Sequence, residues 1–221
     1  MTIKLVRRMA SVPALTVQGL RSPGPAARWL SVPQAGLPPG LTVLTGDEGC
    51  GKSTLLRLLA AELQPRQGTV RLDGLCPVHD REAYRQKVFW IDPHTDAYDG
   101  TSPGDLYARL TDLRPGFDPN LARTMANAFG LGEHMDKPLY MLSTGSRRKT
   151  WLAAAFASGA RLTLLDQPMA ALDPPSIRYL VSLLQAQAGQ TERLWIVADH
   201  ETPAGLSPDA TWALPPAPPI A

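Results

Sequence analysis

The chain has 221 residues, 44% of them hydrophobic, with 22 basic residues against 20 acidic ones and a formal net charge of +2. That length suits one large domain or two small ones with a real core, and so small a charge gives no reason to expect a nucleic-acid partner. The two cysteines, Cys50 and Cys76, make no disulfide framework and fit a reducing compartment. No apolar run approaches the roughly 20 residues that span a bilayer, and the N-terminus lacks the apolar stretch of a signal peptide.

The basic run from Lys4 to Arg8 reads as a solvated face. Residues 14–20 predict a strand, Ser22 to Pro25 a turn, and Arg28 to Val32 a second strand. A turn at Leu37–Gly40 leads into an apolar strand at Leu41–Thr45. The nine residues that follow are Gly46, Asp47, Glu48, Gly49, Cys50, Gly51, Lys52, Ser53 and Thr54. They match the phosphate-binding pattern G-x-x-x-x-G-K-[ST] in full, and a helical pattern from Leu55 to Ala61 comes next. Strand, glycine loop and helix in that order are what the chemistry needs. The glycines let backbone N–H groups turn inward around a phosphate chain, and the helix N-terminus adds a favourable dipole. Lys52 would meet the β- and γ-phosphates, and the Ser53 hydroxyl would ligate Mg²⁺. Cys50, near Lys52 and a helix N-terminus, is a candidate reactive thiol.

Gly68 to Gly74 alternates apolar and polar residues and predicts a short strand. Val88–Ile91 is a continuous apolar run and predicts a buried one. From about residue 92 to 150 short helical patterns (Asp105–Leu110, Asn120–Phe129) are broken by Pro and Gly, the texture of a helical insertion. A helical run from Thr150 to Ala157 precedes an apolar strand at Arg161–Asp166. After Pro174 and Pro175, the residues Ile177, Leu180, Val181, Leu184 and Ala188 share one helix face. Leu194–Ala198 predicts another buried strand, and a Pro-rich tail occupies about residues 207–221. Strands alternating with helices imply a mainly parallel sheet covered on both faces, with ligands at the carboxyl ends of its strands.

Beyond the phosphate loop, Leu142-Ser143-Thr144-Gly145 stands before a helix. Asp166 closes an apolar strand, Ala171-Leu172-Asp173 follows, and His200 comes after the last strand. This order of motifs over residues 14–201 resembles the ABC-type ATPases. The resemblance implies an α/β fold: a P-loop NTPase core with an N-terminal antiparallel β subdomain and a helical insertion, all within one domain. It further implies that Asp166 is the Walker B carboxylate holding Mg²⁺ with Ser53. Ser143 and Gly145 would cap ATP bound to the opposite subunit, Asp173 would link the two sites, and His200 would contact the γ-phosphate. The implied state is two such domains around two ATP molecules, as a homodimer or with a second ABC ATPase. Separate integral membrane transporter subunits would hold the pair at the cytoplasmic face of a membrane.

The chain departs from the family pattern in four places. Gln167 stands where a glutamate usually polarises the attacking water. An amide takes no proton at neutral pH, and general-base assistance is worth roughly 10²–10⁴-fold, so turnover is expected to be slow. Gln167 and His200 are therefore the candidate catalytic residues, with the first altered. Thr144 and Ser146 replace the usual glycine and glutamine of the signature. The loop Asp92-Pro93-His94-Thr95-Asp96 lacks the usual glutamine, leaving Asp92 or His94 to substitute. Trp29 is the nearest aromatic to serve the adenine, or else it faces the core. A nucleotide-binding regulatory module, or half-site, with little turnover is the alternative reading.

Overall fold

The computed structural model describes residues 4–7, 12–23 and 30–216. The expected first turn and second strand lie partly outside that set, and Trp29 lies wholly outside it.

Two sheets organise the described residues. Strands β2 (Leu15–Arg21), β3 (Ser31–Leu37) and β5 (Gln67–Leu72) form an antiparallel sheet in the order β3-β2-β5. Strands β1 (Lys4–Arg7), β4 (Gly40–Thr45), β6 (Val88–Phe89), β7 (Leu162–Asp166), β8 (Leu194–Asp199) and β9 (Ala210–Ala213) form the other, in the order β1-β9-β4-β8-β7-β6. All pairs in this second sheet are parallel except β1 with β9.

The continuous apolar runs are explained by burial on both faces, as parallel strands require. On β8, Leu194, Ile196 and Ala198 join one core, while Trp195 and Val197 join the other. On β7, Leu162 and Leu164 face the first core and Leu165 the second. The first core holds the antiparallel sheet and helix α1 (Lys52–Leu59). The second holds α3 (Pro103–Leu113), α4 (Pro119–Ala128), α5 (Thr144–Ala157) and α6 (Pro174–Gln185). Helix α2 (Arg81–Lys87) leads into β6.

Side-chain caps mark where the helices start. Ser102, Asp118, Ser143 and Asp173 accept from backbone N–H groups at the starts of α3, α4, α5 and α6, each satisfying an otherwise orphaned donor.

Several boundaries differ from the sequence reading. Helix α5 begins at Thr144 rather than Thr150, because Ser143 caps it, and β3 runs on to Leu37, paired with β2, rather than ending at Val32. Lys4–Arg7 is a strand rather than only a basic run. The strand expected over Val88–Ile91 ends at Phe89: Trp90 packs beside one core and Ile91 beside the other, and Pro93 follows with no N–H to extend a ladder. Inside the stretch read as a Pro-rich tail, β9 inserts between β1 and β4. Its Trp212 is fully buried, and Leu214 donates its N–H to the Thr45 carbonyl at 2.8 Å.

Candidate functional site

The carboxyl ends of β4, β8 and β7 bring the motifs side by side. Thr45 pairs with Asp199, and Asp166 with Ala198. The phosphate loop leaves β4, His200 leaves β8, and Asp166 closes β7. The Gly46 N–H donates to the His200 carbonyl at 3.3 Å, which joins the first two directly. The His200 side chain is exposed, and its backbone N–H donates to Asp199 Oδ1 at 2.8 Å.

The loop itself demands its glycines. Gly51, the N-cap of α1, has φ 101°, in the left-handed region. A Cβ on Gly46 would lie 2.6 Å from Cys50 Sγ. Cys50 is therefore buried packing under the loop, with 3% exposure, rather than an accessible thiol. Lys52 is only 5% exposed; its ammonium donates to the Gly46 carbonyl at 2.6 Å and the Asp47 carbonyl at 2.9 Å. No side chain caps α1, so its first-turn N–H groups remain open to an anionic ligand. Ser53 is exposed in that first turn.

Asp166 carries a test of metal binding. Its Oδ1 is buried and has no hydrogen-bond partner, a costly state for a carboxylate oxygen unless a cation or water satisfies it. Among the described residues no cluster of three or more His, Cys, Asp or Glu could hold a metal. One carboxylate, one serine and substrate phosphates are the kind of donor set Mg²⁺ takes. The residues fit the ion.

Gln167 follows with φ 43°, a left-handed conformation that L-residues resist. Its N–H donates to the Ala198 carbonyl at 2.9 Å. Arg148 Nη1 donates to the Gln167 carbonyl at 2.7 Å and to the Asp166 carbonyl at 3.1 Å.

The signature segment caps itself. Ser143 Oγ accepts from the Ser146 N–H at 3.1 Å and donates to Ser146 Oγ at 3.0 Å, so Ser146 supplies a local partner where the family pattern has glutamine. Gly145 has an intrachain requirement: a Cβ there would sit 2.4 Å from the Ala171 carbonyl oxygen. Asp173 caps α6 through the Ser176 N–H and hydroxyl, both at 2.9 Å, and takes Lys149 Nζ at 2.5 Å. The Lys149 hydrogen bond first, then those from Ser176, hold its carboxyl far below the usual carboxylate range.

The loop after β6 is tied down as well. Asp92 Oδ1 accepts from the His94 N–H at 2.9 Å. Arg147 donates to the Thr95 carbonyl at 3.1 Å and to Asp99 Oδ1. A cavity of about 250 Å³ separates this loop from α5, with His94, Trp151, Leu165 and Asp166 among its walls. The basic triplet Arg147-Arg148-Lys149 is built into the fold, each member holding a different segment: Thr95 and Asp99, the Asp166 and Gln167 carbonyls, and Asp173. Sequence reasoning missed Arg148, and the only signal available was its place in that triplet.

The family model described as "ABC transporter" matches residues 37–170. The cytochrome c biogenesis ATP-binding export protein CcmA of Escherichia coli K12 is 35% identical over 162 residues, covering 70% of this chain and 72% of that protein. The protein of the same name from Pseudomonas syringae pv. syringae is 34% identical over 139 residues, 62% of this chain and 65% of its own length. The chain thus spans just under two thirds of that relative. The phosphonates import ATP-binding protein PhnC 1 of Natronomonas pharaonis is 30% identical over 166 residues, 73% of this chain and 71% of that one. Among solved structures, a putative ABC transporter ATP-binding protein from Pyrococcus furiosus superposes with a TM-score of 0.74 at 19% identity, covering 90% of this chain and 96% of that one. Likeness at that identity speaks for the fold.

Proposed function

The chain belongs to the ABC transporter family, and from that premise we propose that it binds MgATP as the ATP-binding subunit of a transporter, with slow hydrolysis of its own. The observation that carries the reading is the pairing of two features. Lys52 lies within a loop shaped by left-handed glycines, and Asp166 offers an unpartnered buried oxygen at a nearby strand end.

Residues 46–54 receive the phosphates, with Lys52 as the point charge and the α1 N–H groups as donors. Ser53 and Asp166 are the residues that would hold Mg²⁺, which when bound neutralises charge between the β- and γ-phosphates. Gln167 positions the attacking water but takes no proton from it. His200 serves the γ-phosphate. Ser143 and Gly145 complete the site of a second ATP-binding subunit, identical or related, and Asp173 bridges the two sites. No described helix is long and apolar enough to cross a membrane. In this reading integral membrane partner subunits hold the chain at the cytoplasmic face, as its likeness to ATP-binding subunits of transporters suggests.

Gln167 also favours a second reading, in which this chain is the slow half of a mixed pair or a regulatory module. The test is steady-state phosphate release. The purified chain should turn over slowly, and Gln167→Glu should raise the rate by at least tenfold, toward the roughly 10²–10⁴-fold worth of a general base. An unchanged or lower rate in Gln167→Glu would sink the argument that the amide limits hydrolysis.

A further inference from the structure

We infer that Arg148 is a positioning residue that sets the backbone of Gln167, and so couples the signature helix to the water-orienting group of its own subunit. The inference rests on the ATP-hydrolysis reading above.

Three residues within the first turns of α5 grip the segment from Asp166 to Asp173. Gly145 lets the Ala171 carbonyl approach to where a Cβ would be only 2.4 Å away. Arg148 Nη1 holds the carbonyls of Asp166 at 3.1 Å and Gln167 at 2.7 Å. Lys149 Nζ holds Asp173 Oδ2 at 2.5 Å. These contacts span the metal carboxylate, the water-positioning amide and the A-L-D loop.

Arg148 is the member that bears on chemistry. One guanidinium nitrogen takes the carbonyls on both sides of the Gln167 N–H. Gln167 and Ala171 are both left-handed, at φ 43° and 62°, so the segment needs outside anchors to keep its shape. The Gln167 N–H is anchored by the Ala198 carbonyl and its carbonyl by Arg148 and the Ala170 N–H. Without Arg148, the peptide between Asp166 and Gln167 keeps an anchor at one face alone. The amide of Gln167 would then sample directions that no longer aim at a γ-phosphate. Arg148 is half-buried, with burial lowering its pKa and the Asp166 carboxylate raising it. Because Arg148 and the signature residues share one helix, any displacement of Ser143 and Gly145 by a partner subunit passes to Gln167 through one side chain.

The test compares Arg148→Met and Arg148→Lys by two readouts. In hydrogen exchange of the full chain, Arg148→Met should speed exchange at the Gln167 and Ala170 amides by about tenfold while α1 and β8 keep their protection. In the Gln167→Glu background, Arg148→Met should lower kcat about tenfold with the KM for ATP within about twofold, the pattern of an interaction made in the transition state. Arg148→Lys should recover part of it. In the Gln167→Gly background, which has neither Cβ strain nor an amide to aim, Arg148→Met should cost less than about twofold. Equal losses in both backgrounds, a rise in KM that matches the fall in kcat, or unchanged exchange at 167–170 would overturn the inference. Failure of the parent to bind a fluorescent ATP analogue would instead overturn the proposed function. Should Gln167→Glu show no turnover, the exchange experiment alone decides the role of Arg148.

Discussion

Gly145→Ala is expected to destabilise the fold even without any partner subunit. The new Cβ would lie 2.4 Å from the Ala171 carbonyl oxygen, about 1 Å inside ordinary van der Waals contact. That oxygen has little freedom to retreat. Ala171 is itself left-handed, Leu172 is buried, and Asp173 is fixed by Ser176 and Lys149. Overpacking of this kind costs about 1–3 kcal/mol, and the helix-propensity gain of alanine returns at most about 1 kcal/mol. A net loss of about 1–2 kcal/mol should lower the melting temperature by about 2–8 °C for a domain of this size. Calorimetric or circular-dichroism melting against the parent measures it. Gly100→Ala is the control, since a Cβ there meets nothing within 4 Å and no left-handed backbone is involved. If Gly145→Ala melts within about 1 °C of the parent, the glycine is not required by its own chain and the overpacking argument fails.

Two further outcomes concern stability. Arg193 stacks over Trp195 at 4.6 Å and donates to the carbonyls of Ala155, Phe156 and Ala160 and to the Ser158 and Thr163 hydroxyls, closing the C-terminus of α5. Burial pulls its guanidinium down to about 10, so the charge is retained at neutral pH. Arg193→Ala should cost about 3–5 kcal/mol in denaturant unfolding, because it strands several buried acceptors at once; a loss below about 1 kcal/mol would contradict those bonds. Asp73 is held below its ordinary value of 3.8 by the Arg161 hydrogen bond first, with burial opposing and Lys87 assisting. Its contribution is therefore present above its unfolded pKa and lost as pH falls through the lower folded one. Asp73→Asn should destabilise at pH 7 and flatten the acid decline below about pH 4; parallel acid profiles would show that the carboxylate pairs equally well in the unfolded chain.

The elements legible in the sequence are those whose signal is local or repeated. β4, β7 and β8 are largely apolar because both faces are covered, and the phosphate loop declares itself by glycine spacing and Lys52. β9 did not, since Ala210-Thr211-Trp212-Ala213 is short, lies between prolines, and gains its meaning only from pairing with β1 and β4. Val88–Ile91 looked longer than its strand because Trp90 and Ile91 are partly buried by packing rather than by pairing. The basic triplet before Thr150 is three separate clamps whose partners, Asp99, the Asp166–Gln167 carbonyls and Asp173, lie far along the chain. Cys50 looked reactive from its neighbours, whereas the fold packs it beneath Gly46. Spacing announces a motif, but which side chain restrains it depends on contacts made after folding.

Calorimetric titration of MgATP into the parent and into Lys52→Ala tests the central claim most directly. The parent should bind saturably, and loss of the charge-assisted phosphate contacts should weaken affinity by on the order of 10–100-fold while the variant stays folded. Undiminished affinity in a folded Lys52→Ala chain, or no binding by the parent, would contradict the account.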